Sequence, residues 1–231
     1  MGVMAGPLWV EQTGSGRPLV LLHGNGETHR VFDRMVPLLA PQHRLVGLDS
    51  RGHGRSPRGD GPLTIARMAD DVDEALDALG LDGVDLLGFS DGGNVALELA
   101  LRHPGRSRAL VVVGANLFPA GLKPASMAPI KAGHAALRLA ERAVPWARTV
   151  TERWALMTDD PHIDPADLAR VSIPALVVVG RRDVIRPEHT RLIAGSLPHA
   201  RLATVEHAGH MLPVTHPRQL VRVVETFLAS R

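Results

Sequence analysis

The chain has 231 residues and contains no cysteine. This absence excludes disulfides, a thiol nucleophile and zinc sites built on cysteine ligands. Only two residues are lysines, and the basic residues are scattered along the chain without a dense block. The formal net charge is only +2. Scattered charges are typical of solvated faces, so the sequence predicts no nucleic-acid partner.

Long apolar runs are also missing. No stretch of about 18 apolar residues occurs, which is the length that a membrane-spanning helix needs. The N-terminus has no basic segment followed by a long apolar segment, as a secretion signal would. We therefore expect a cytoplasmic protein with no membrane insertion.

Apolar runs with the length of strands alternate with stretches of helical periodicity. This alternation predicts an α/β fold whose mostly parallel sheet is covered by helices on both faces. The length of the chain fits a single domain spanning residues 1–231. The predicted strands are 8–13, 19–22, 44–48, 84–89, 109–113, 175–179 and 201–205; the predicted helices are 30–39, 65–79, 94–103, 187–197 and 220–229.

The alternation is interrupted in the middle of the chain. Residues 115–172 contain no strong strand pattern, but two helical stretches fit, at 130–144 and 147–157. A simple crossover needs only about a dozen residues. We interpret the segment as a compact helical lid inserted after a strand. The alternative is an ordinary pair of packing helices.

The sequence Gly88-Phe89-Ser90-Asp91-Gly92 lies between a predicted strand and a predicted helix. A serine flanked in this way by glycines is typical of a sharp turn that exposes its hydroxyl at the N-terminal end of a helix. Only glycine leaves room two positions before and two positions after the serine. The sequence predicts that Ser90 is a nucleophile; the alternative is a serine that only caps the helix.

A serine nucleophile needs a general base and a group that orients the base. Asp183 follows one buried strand and His210 follows the next, so both loops lie at the sheet edge where Ser90 lies. We predict a catalytic triad of Ser90, Asp183 and His210. His207 is the rival base, but it comes directly after the strand, where we expect it to be held against the sheet.

Acyl transfer also needs donors for a developing oxyanion. The loop after the strand 19–22 fits this role, and we predict an oxyanion hole formed by the backbone amides of Asn25 and Asp91. His23, in the same loop, is interpreted as a brace of that loop by hydrogen bonds. For the wall of an apolar substrate pocket we propose Leu117, Trp154, Met157 and Met211.

Two other segments have features of functional sites but are interpreted as structural. The glycine-rich loop 49–56 lacks the Gly-Lys-Ser/Thr of a phosphate-binding loop, so we interpret it as a structural turn. The acidic cluster after the second insertion helix resembles the start of a helix better than a metal site; its members are Asp159, Asp160, His162 and Asp164. We predict no bound metal.

Several motifs together resemble the α/β-hydrolase superfamily over nearly the whole chain. They are His23-Gly24-Asn25-Gly26, the segment Asp49 to Ser56, the elbow at Ser90, Gly180-Arg181-Arg182-Asp183 and Gly209-His210. Within the superfamily, the elbow is similar to that of small serine esterases like the biphenyl-hydrolase-like proteins.

The resemblance implies the α/β-hydrolase fold and a serine hydrolase that uses no cofactor. It also favours His210 over His207 as the base. The resemblance to esterases with a serine-aspartate elbow also suggests that the carboxylate of Asp91 attracts a substrate amine. The alternative is that Asp91 only complements the helix dipole. The short chain leads us to expect that one N-terminal strand is missing.

The function that these observations favour is hydrolysis of a small apolar carboxylic ester through an acyl-enzyme. The same triad could cleave a thioester, amide, lactone or carbon–carbon bond, and the scaffold could also serve a nearly non-catalytic receptor for small molecules. Either way the partner is a small-molecule substrate or ligand. A carboxylate-based dehalogenase is disfavoured, because the elbow residue is Ser90 and not an aspartate.

Overall fold

The computed structural model describes residues 2–141, 143–144 and 147–230. In this part of the chain, eight strands form one sheet. The strands are β1 (Val3–Ala5), β2 (Leu8–Thr13), β3 (Arg17–Leu22), β4 (His43–Asp49), β5 (Val84–Phe89), β6 (Ser107–Val113), β7 (Ala175–Gly180) and β8 (Ala200–Val205). Their order in the sheet is β1-β2-β4-β3-β5-β6-β7-β8. Strand β2 is antiparallel to both of its neighbours, and all other pairs are parallel.

Helices connect the strands on both faces of the sheet. They are α1 (Val36–Leu39), α2 (Ile65–Ala78), α3 (Asp91–Arg102), α4 (Pro124–Ala140), α5 (Ala147–Thr158), α6 (Pro187–Ser196), α7 (Leu212–Thr215) and α8 (Pro217–Ala229). Short 3₁₀ turns cover His29–Phe32, Pro119–Gly121 and Asp167–Arg170. The predicted mostly parallel α/β sheet is confirmed.

The sheet is covered on both faces because neighbouring strand residues point to opposite sides. In β3, Val20 and Leu22 pack into a core shared with α2, α3 and α6. Leu19 and Leu21 pack into a second core, which is shared with α1 and α8. Helix α2 begins as predicted, since the side chain of Thr64 accepts a hydrogen bond from the amide of Arg67.

Two predictions about the N-terminal half were wrong. The strand that we expected to be missing is present as β1, which is only three residues long and has two exposed residues, so it carries no hydrophobic pattern. The predicted helix 30–39 is divided into the 3₁₀ turn His29–Phe32 and α1. Pro37 lies in the first turn of α1, and proline disrupts a helix beyond its first turn, so one continuous helix is unfavourable.

The helical insertion between β6 and β7 consists of α4 and α5. The ring Nδ1 of His134 in α4 lies 2.6 Å from Oγ1 of Thr158 in α5, which links the two helices. Arg58 forms a bidentate ion pair with Glu152 at 2.6 and 2.8 Å, so α5 is also tied to the loop after β4. Arg142, at the end of the first predicted insertion helix, lies outside the described residues, as do Pro145 and Trp146.

The parallel strands end at a common edge of the sheet. Four of them, β3, β5, β7 and β8, run in the same direction and are followed by the segments that contain Asn25, Ser90, Asp183 and His210. This arrangement brings together residues that are far apart in the sequence. Among the helices of the described residues, none combines the length and the apolar character that are needed to cross a bilayer.

Candidate active site

Ser90 occupies the turn between β5 and α3 with a positive φ of 55° and a ψ of −122°, a conformation that residues other than glycine rarely adopt. A side chain at Gly88 would overlap the carbonyl oxygen of Gly92, and one at Gly92 would overlap the carbonyl oxygen of Leu22. The close approach of these backbones therefore requires glycine at both positions, as the sequence predicted. Strain of this kind persists only where surrounding structure enforces it.

The side chain of Ser90 does not cap α3, although the residue stands at the N-cap position. Its Oγ lies 3.1 Å from Nε2 of His210. Nδ1 of the same ring lies 2.8 Å from Oδ1 of Asp183. Because a carboxylate can only accept, Nδ1 donates to Asp183, and Nε2 is left to accept the Ser90 hydroxyl proton.

Asp183 is 2% exposed. Burial opposes its ionisation, but the hydrogen bond and the charge of His210, together with backbone amide donors, outweigh burial and lower the pKa of Asp183 below its usual value. One of these donors is the amide of Ile185, at 3.0 Å from Oδ1. The ammonium group of Lys123 also donates to the backbone carbonyl of Asp183.

His207 lies on the surface and not against the sheet. It is exposed, with φ 61°, in the turn after β8. The expectation that the sheet holds it was wrong, because the tight turn after Val205 directs it outward. Of the two histidines, the structure brings only His210 to Ser90.

The loop after β3 is held in place by His23, which is buried. Its Nδ1 donates to the carbonyl of Gly24 at 2.7 Å, and its Nε2 accepts from the amide of Ser50 at 2.9 Å. Burial, reinforced by the neighbouring His53, lowers the pKa of His23 to about 4, so the ring stays neutral and can keep both roles. The side chain of Asn25 donates to the carbonyl of Arg153 at 2.5 Å, which connects this loop to α5.

Asp91 is 7% exposed, and its Oδ2 has no hydrogen-bond partner within the described residues. Burial raises the pKa of Asp91 to about 7; the charges of Asp160 and Glu27 add to this, while Asn25 and His210 oppose it. Asn94 makes a long contact of 3.4 Å to Oδ1. Asp91 is therefore a poorly solvated acid beside Ser90.

A cavity of about 150 Å³ opens at Ser90. Both predicted oxyanion residues, Asn25 and Asp91, lie in its wall. The other lining residues are Asn116, Leu122, Ile130, Met157, Val184, Ile185 and His210.

Of the four residues predicted to line a pocket, only Met157 lines this cavity. Leu117 is fully buried in the core, and its amide donates to His189. The ring of Trp154 packs on Gly133 and so serves the contact between α4 and α5. Met211 is 38% exposed. Leu117, Trp154 and Met211 do not line this cavity, because the first two side chains pack elsewhere and the third is partly exposed to solvent.

Several lining residues were not predicted. Asn116 follows β6, and Val184 and Ile185 directly follow Asp183, so their positions after strands were a usable signal. Leu122 and Ile130 belong to the insertion, where the sequence shows helices but not which face covers the sheet edge.

The model of the family described as alpha/beta hydrolase fold matches residues 17–144. The chain belongs to this family, which makes it an enzyme of the α/β-hydrolase superfamily.

Its relatives include hydrolases with different substrates. The pimeloyl-[acyl-carrier protein] methyl ester esterase of Aeromonas hydrophila is 32% identical, over 95% of this chain and 98% of that protein. The 2-hydroxymuconate semialdehyde hydrolase of Pseudomonas putida is also 32% identical, over 94% and 89%. Among solved structures, a hydrolase from Pseudomonas aeruginosa PA01 superimposes with a TM-score of 0.80 at 31% identity and covers 96% of this chain and 94% of its own.

The elbow geometry predicts that Gly92→Ala lowers the melting temperature. The added methyl group meets the carbonyl of Leu22, and overpacking of this kind costs about 1–3 kcal/mol or more. Gly195→Ala is the matched control, because Gly195 lies exposed in α6 with nothing within 4 Å of an added Cβ. That change should be neutral or stabilising by up to about 1 kcal/mol. Equal melting temperatures for the two variants would contradict this account.

Burial of Asp91 predicts a pH-dependent effect of Asp91→Asn. A raised pKa means that the folded protein holds the proton more tightly, so stability falls as pH rises from about 4 to about 7. The asparagine that replaces Asp91 does not titrate, so the free energy of unfolding of the variant does not fall in this way. Between pH 5 and pH 8, the difference in free energy of unfolding between variant and parent should shift by about 2–3 kcal/mol in favour of the variant, as measured by urea denaturation. Asp33→Asn, at an exposed position, should show no such gain. A difference for Asp91→Asn that is independent of pH would contradict the assignment.

Proposed function

We propose that the protein is a serine hydrolase that cleaves a small apolar carboxylic ester through an acyl-enzyme. The observation that carries the proposal is the continuous set of contacts from Asp183 through His210 to Ser90, at 2.8 and 3.1 Å. These distances fit proton transfer from the serine hydroxyl to the imidazole.

In the first half of the proposed reaction, Oγ of Ser90 attacks the ester carbonyl while Nε2 of His210 takes the hydroxyl proton. Asp183 stays ionised and stabilises the imidazolium that forms. The low pKa of this carboxyl supports that role. His210 then gives the proton to the departing alcohol, and the acyl group remains on Ser90.

In the second half, water attacks the acyl-enzyme and His210 takes its proton. The tetrahedral species of both halves carries an oxyanion, which the backbone amides of Asn25 and Asp91 would stabilise. In the described part of the chain, neither amide donates to a protein acceptor. Preorganised donors of this kind contribute a factor of about 10²–10³ in turnover each.

The cavity supports a small and largely apolar acyl or alcohol group. Its volume is about 150 Å³, and the side chains of Leu122, Ile130, Met157 and Ile185 form its apolar wall. The suggestion that Asp91 attracts a substrate amine stays a prediction. It is supported by the Oδ2 atom, which accepts no hydrogen bond from the described residues. The raised pKa of Asp91 implies stronger attraction of an amine above pH 7.

A different bond on the same triad is the second candidate. The two relatives that are each 32% identical to this chain are, by name, an ester hydrolase and a semialdehyde hydrolase. The fold therefore does not determine which bond is cleaved. A panel of esters, thioesters, amides and lactones of graded length separates these candidates. A burst without turnover on every substrate would instead favour a receptor.

If Ser90 is the nucleophile, a fluorophosphonate probe labels the protein, and mass spectrometry locates the adduct on Ser90. Ser90→Ala should abolish labelling, because no other hydroxyl lies on the elbow. Ser196→Ala, at the end of α6, should label as the parent does. Persistent labelling of the Ser90→Ala protein would exclude this nucleophile.

If His210 is the general base, His210→Ala lowers kcat by about 10⁴-fold or more, to the rate left by the oxyanion hole. His207→Ala is the matched control and should retain most of the activity, because that side chain is exposed. Asp183→Asn should also be severe, since it favours the wrong imidazole tautomer. Steady-state kinetics on one activated ester measures kcat for all three variants. A larger loss of kcat for His207→Ala than for His210→Ala would refute the assignment.

A further inference from the structure

A second cavity adjoins the one at Ser90. It has a volume of about 410 Å³, and Leu122 lines both cavities. We call it the basic groove, because two cationic side chains stand among otherwise apolar lining residues. Its members are Pro119, Ala120, Leu122, Pro124, Met127, Lys131 and Arg186.

The backbone fixes the groove relative to the triad. The amide of Arg186 donates to the carbonyl of Gly121 at 2.9 Å, and the amide of Lys123 donates to that of Val184 at 2.8 Å. Leu122 and Ile185 form the bridge between these bonds, and both line the catalytic cavity. Arg186, one of the two cationic residues of the groove, therefore directly follows Ile185, which lines the catalytic cavity.

The same relation holds on helix α4. Ile130 lines the catalytic cavity, and Lys131, the next residue, lines the basic groove. The groove thus lies next to the catalytic cavity, with Leu122 in the wall of both.

The two cations of the groove have no internal counter-charge. Within the described residues, neither Lys131 nor Arg186 has a carboxylate at ion-pair distance, and both are exposed. The acid closest in sequence, Glu188, contacts Arg191 on its own helix at 3.4 Å. By contrast, Arg58 and Arg106 are fully engaged with carboxylates.

The size of the catalytic cavity limits what it can hold alone. Pockets for small molecules usually have about 300–1,000 Å³, whereas the cavity at Ser90 has about 150 Å³. A substrate longer than a small ester must extend beyond it, and the basic groove offers the adjoining space. Two unpaired cations in that space favour a negative charge at the far end of the substrate.

We propose that the basic groove binds an anionic substituent of the substrate, a carboxylate or a phosphate, while the ester lies at Ser90. This assignment rests on the proposed esterase function and extends its substrate from a small apolar ester to an ester whose far end carries an anion. Lys131 and Arg186 are the residues that recognise the anion, and the apolar floor packs on the chain that connects it to the ester.

The test compares activated esters in matched series. p-Nitrophenyl esters of dicarboxylic acids with four to eight carbons are paired with esters of the same length that end in a neutral methyl ester. A parallel series carries the anion on the alcohol side, and a third carries a terminal phosphate. We expect kcat/KM to favour the anionic member at one chain length, and we expect this preference to weaken in high salt.

Lys131→Gln and Arg186→Gln should each lower kcat/KM for the favoured anionic ester by about 2- to 5-fold, mainly through KM, and leave the neutral partner unchanged. Arg108→Gln is the matched control. It removes one exposed positive charge at the N-terminal end of β6, which is the end away from Ser90 and the groove. Whichever terminal anion is preferred, carboxylate or phosphate, the outcome supports the groove and identifies the group.

Two results would overturn the proposal. One is equal kcat/KM for anionic and neutral esters in all three series, and the other is a preference for anions that survives in both groove variants. In either case turnover of the neutral esters remains, so the proposed esterase function stands. If no ester in any series is turned over and no probe adduct forms on Ser90, the esterase function itself fails.

Discussion

The close contact of three backbone segments at the elbow is the constraint on which the site depends. The carbonyls of Leu22 and Gly92 approach positions 92 and 88 so closely that a side chain cannot fit. This contact fixes β3, β5 and α3 to one another and holds Ser90 at φ 55°. The strained turn directs Oγ towards His210 and at the same time places the amide of Asp91 next to the loop of Asn25. One local constraint therefore positions both the candidate nucleophile and the candidate oxyanion donors.

The loop that carries Asn25 is positioned from two sides. On one side, neutral His23 links it to Ser50 in the loop after β4. Asp49, the last residue of β4, accepts from Nδ1 of His29 at 2.7 Å and from the amide of Arg55 at 2.9 Å. On the other side, the Asn25 side chain binds a carbonyl of α5. The helical insertion is thus coupled to the loop of Asn25 through a hydrogen bond from a side chain to a backbone carbonyl, so movement of α5 would displace this loop relative to Ser90.

Much of the fold, and the contacts that join Ser90, His210 and Asp183, could be predicted because the signals are local. Buried strands are short apolar runs, and Ser90, Asp183 and His210 each follow such a run, so the parallel topology brings them together. Strand β1 escaped prediction because two of its three residues are exposed. The pocket wall was mostly missed for another reason: which face of α4 and α5 covers the sheet edge depends on long-range packing, such as Trp154 on Gly133. No local pattern in the insertion encodes that choice.

The charges around the site are arranged asymmetrically. Asp91 lies at one side of the catalytic cavity, with the charges of Asp160 and Glu27 acting on it, whereas Lys131 and Arg186 lie beyond Leu122. A substrate with a negative end would be oriented by this asymmetry, because its anion is attracted to the groove and repelled from the acidic side. Burial raises the pKa of Asp91 to about 7, so near neutral pH part of the population carries a neutral carboxyl there. Desolvation thus limits the repulsion that a full charge beside Ser90 would exert on the oxyanion, and the same low polarity strengthens the hydrogen bonds that the candidate oxyanion hole can offer.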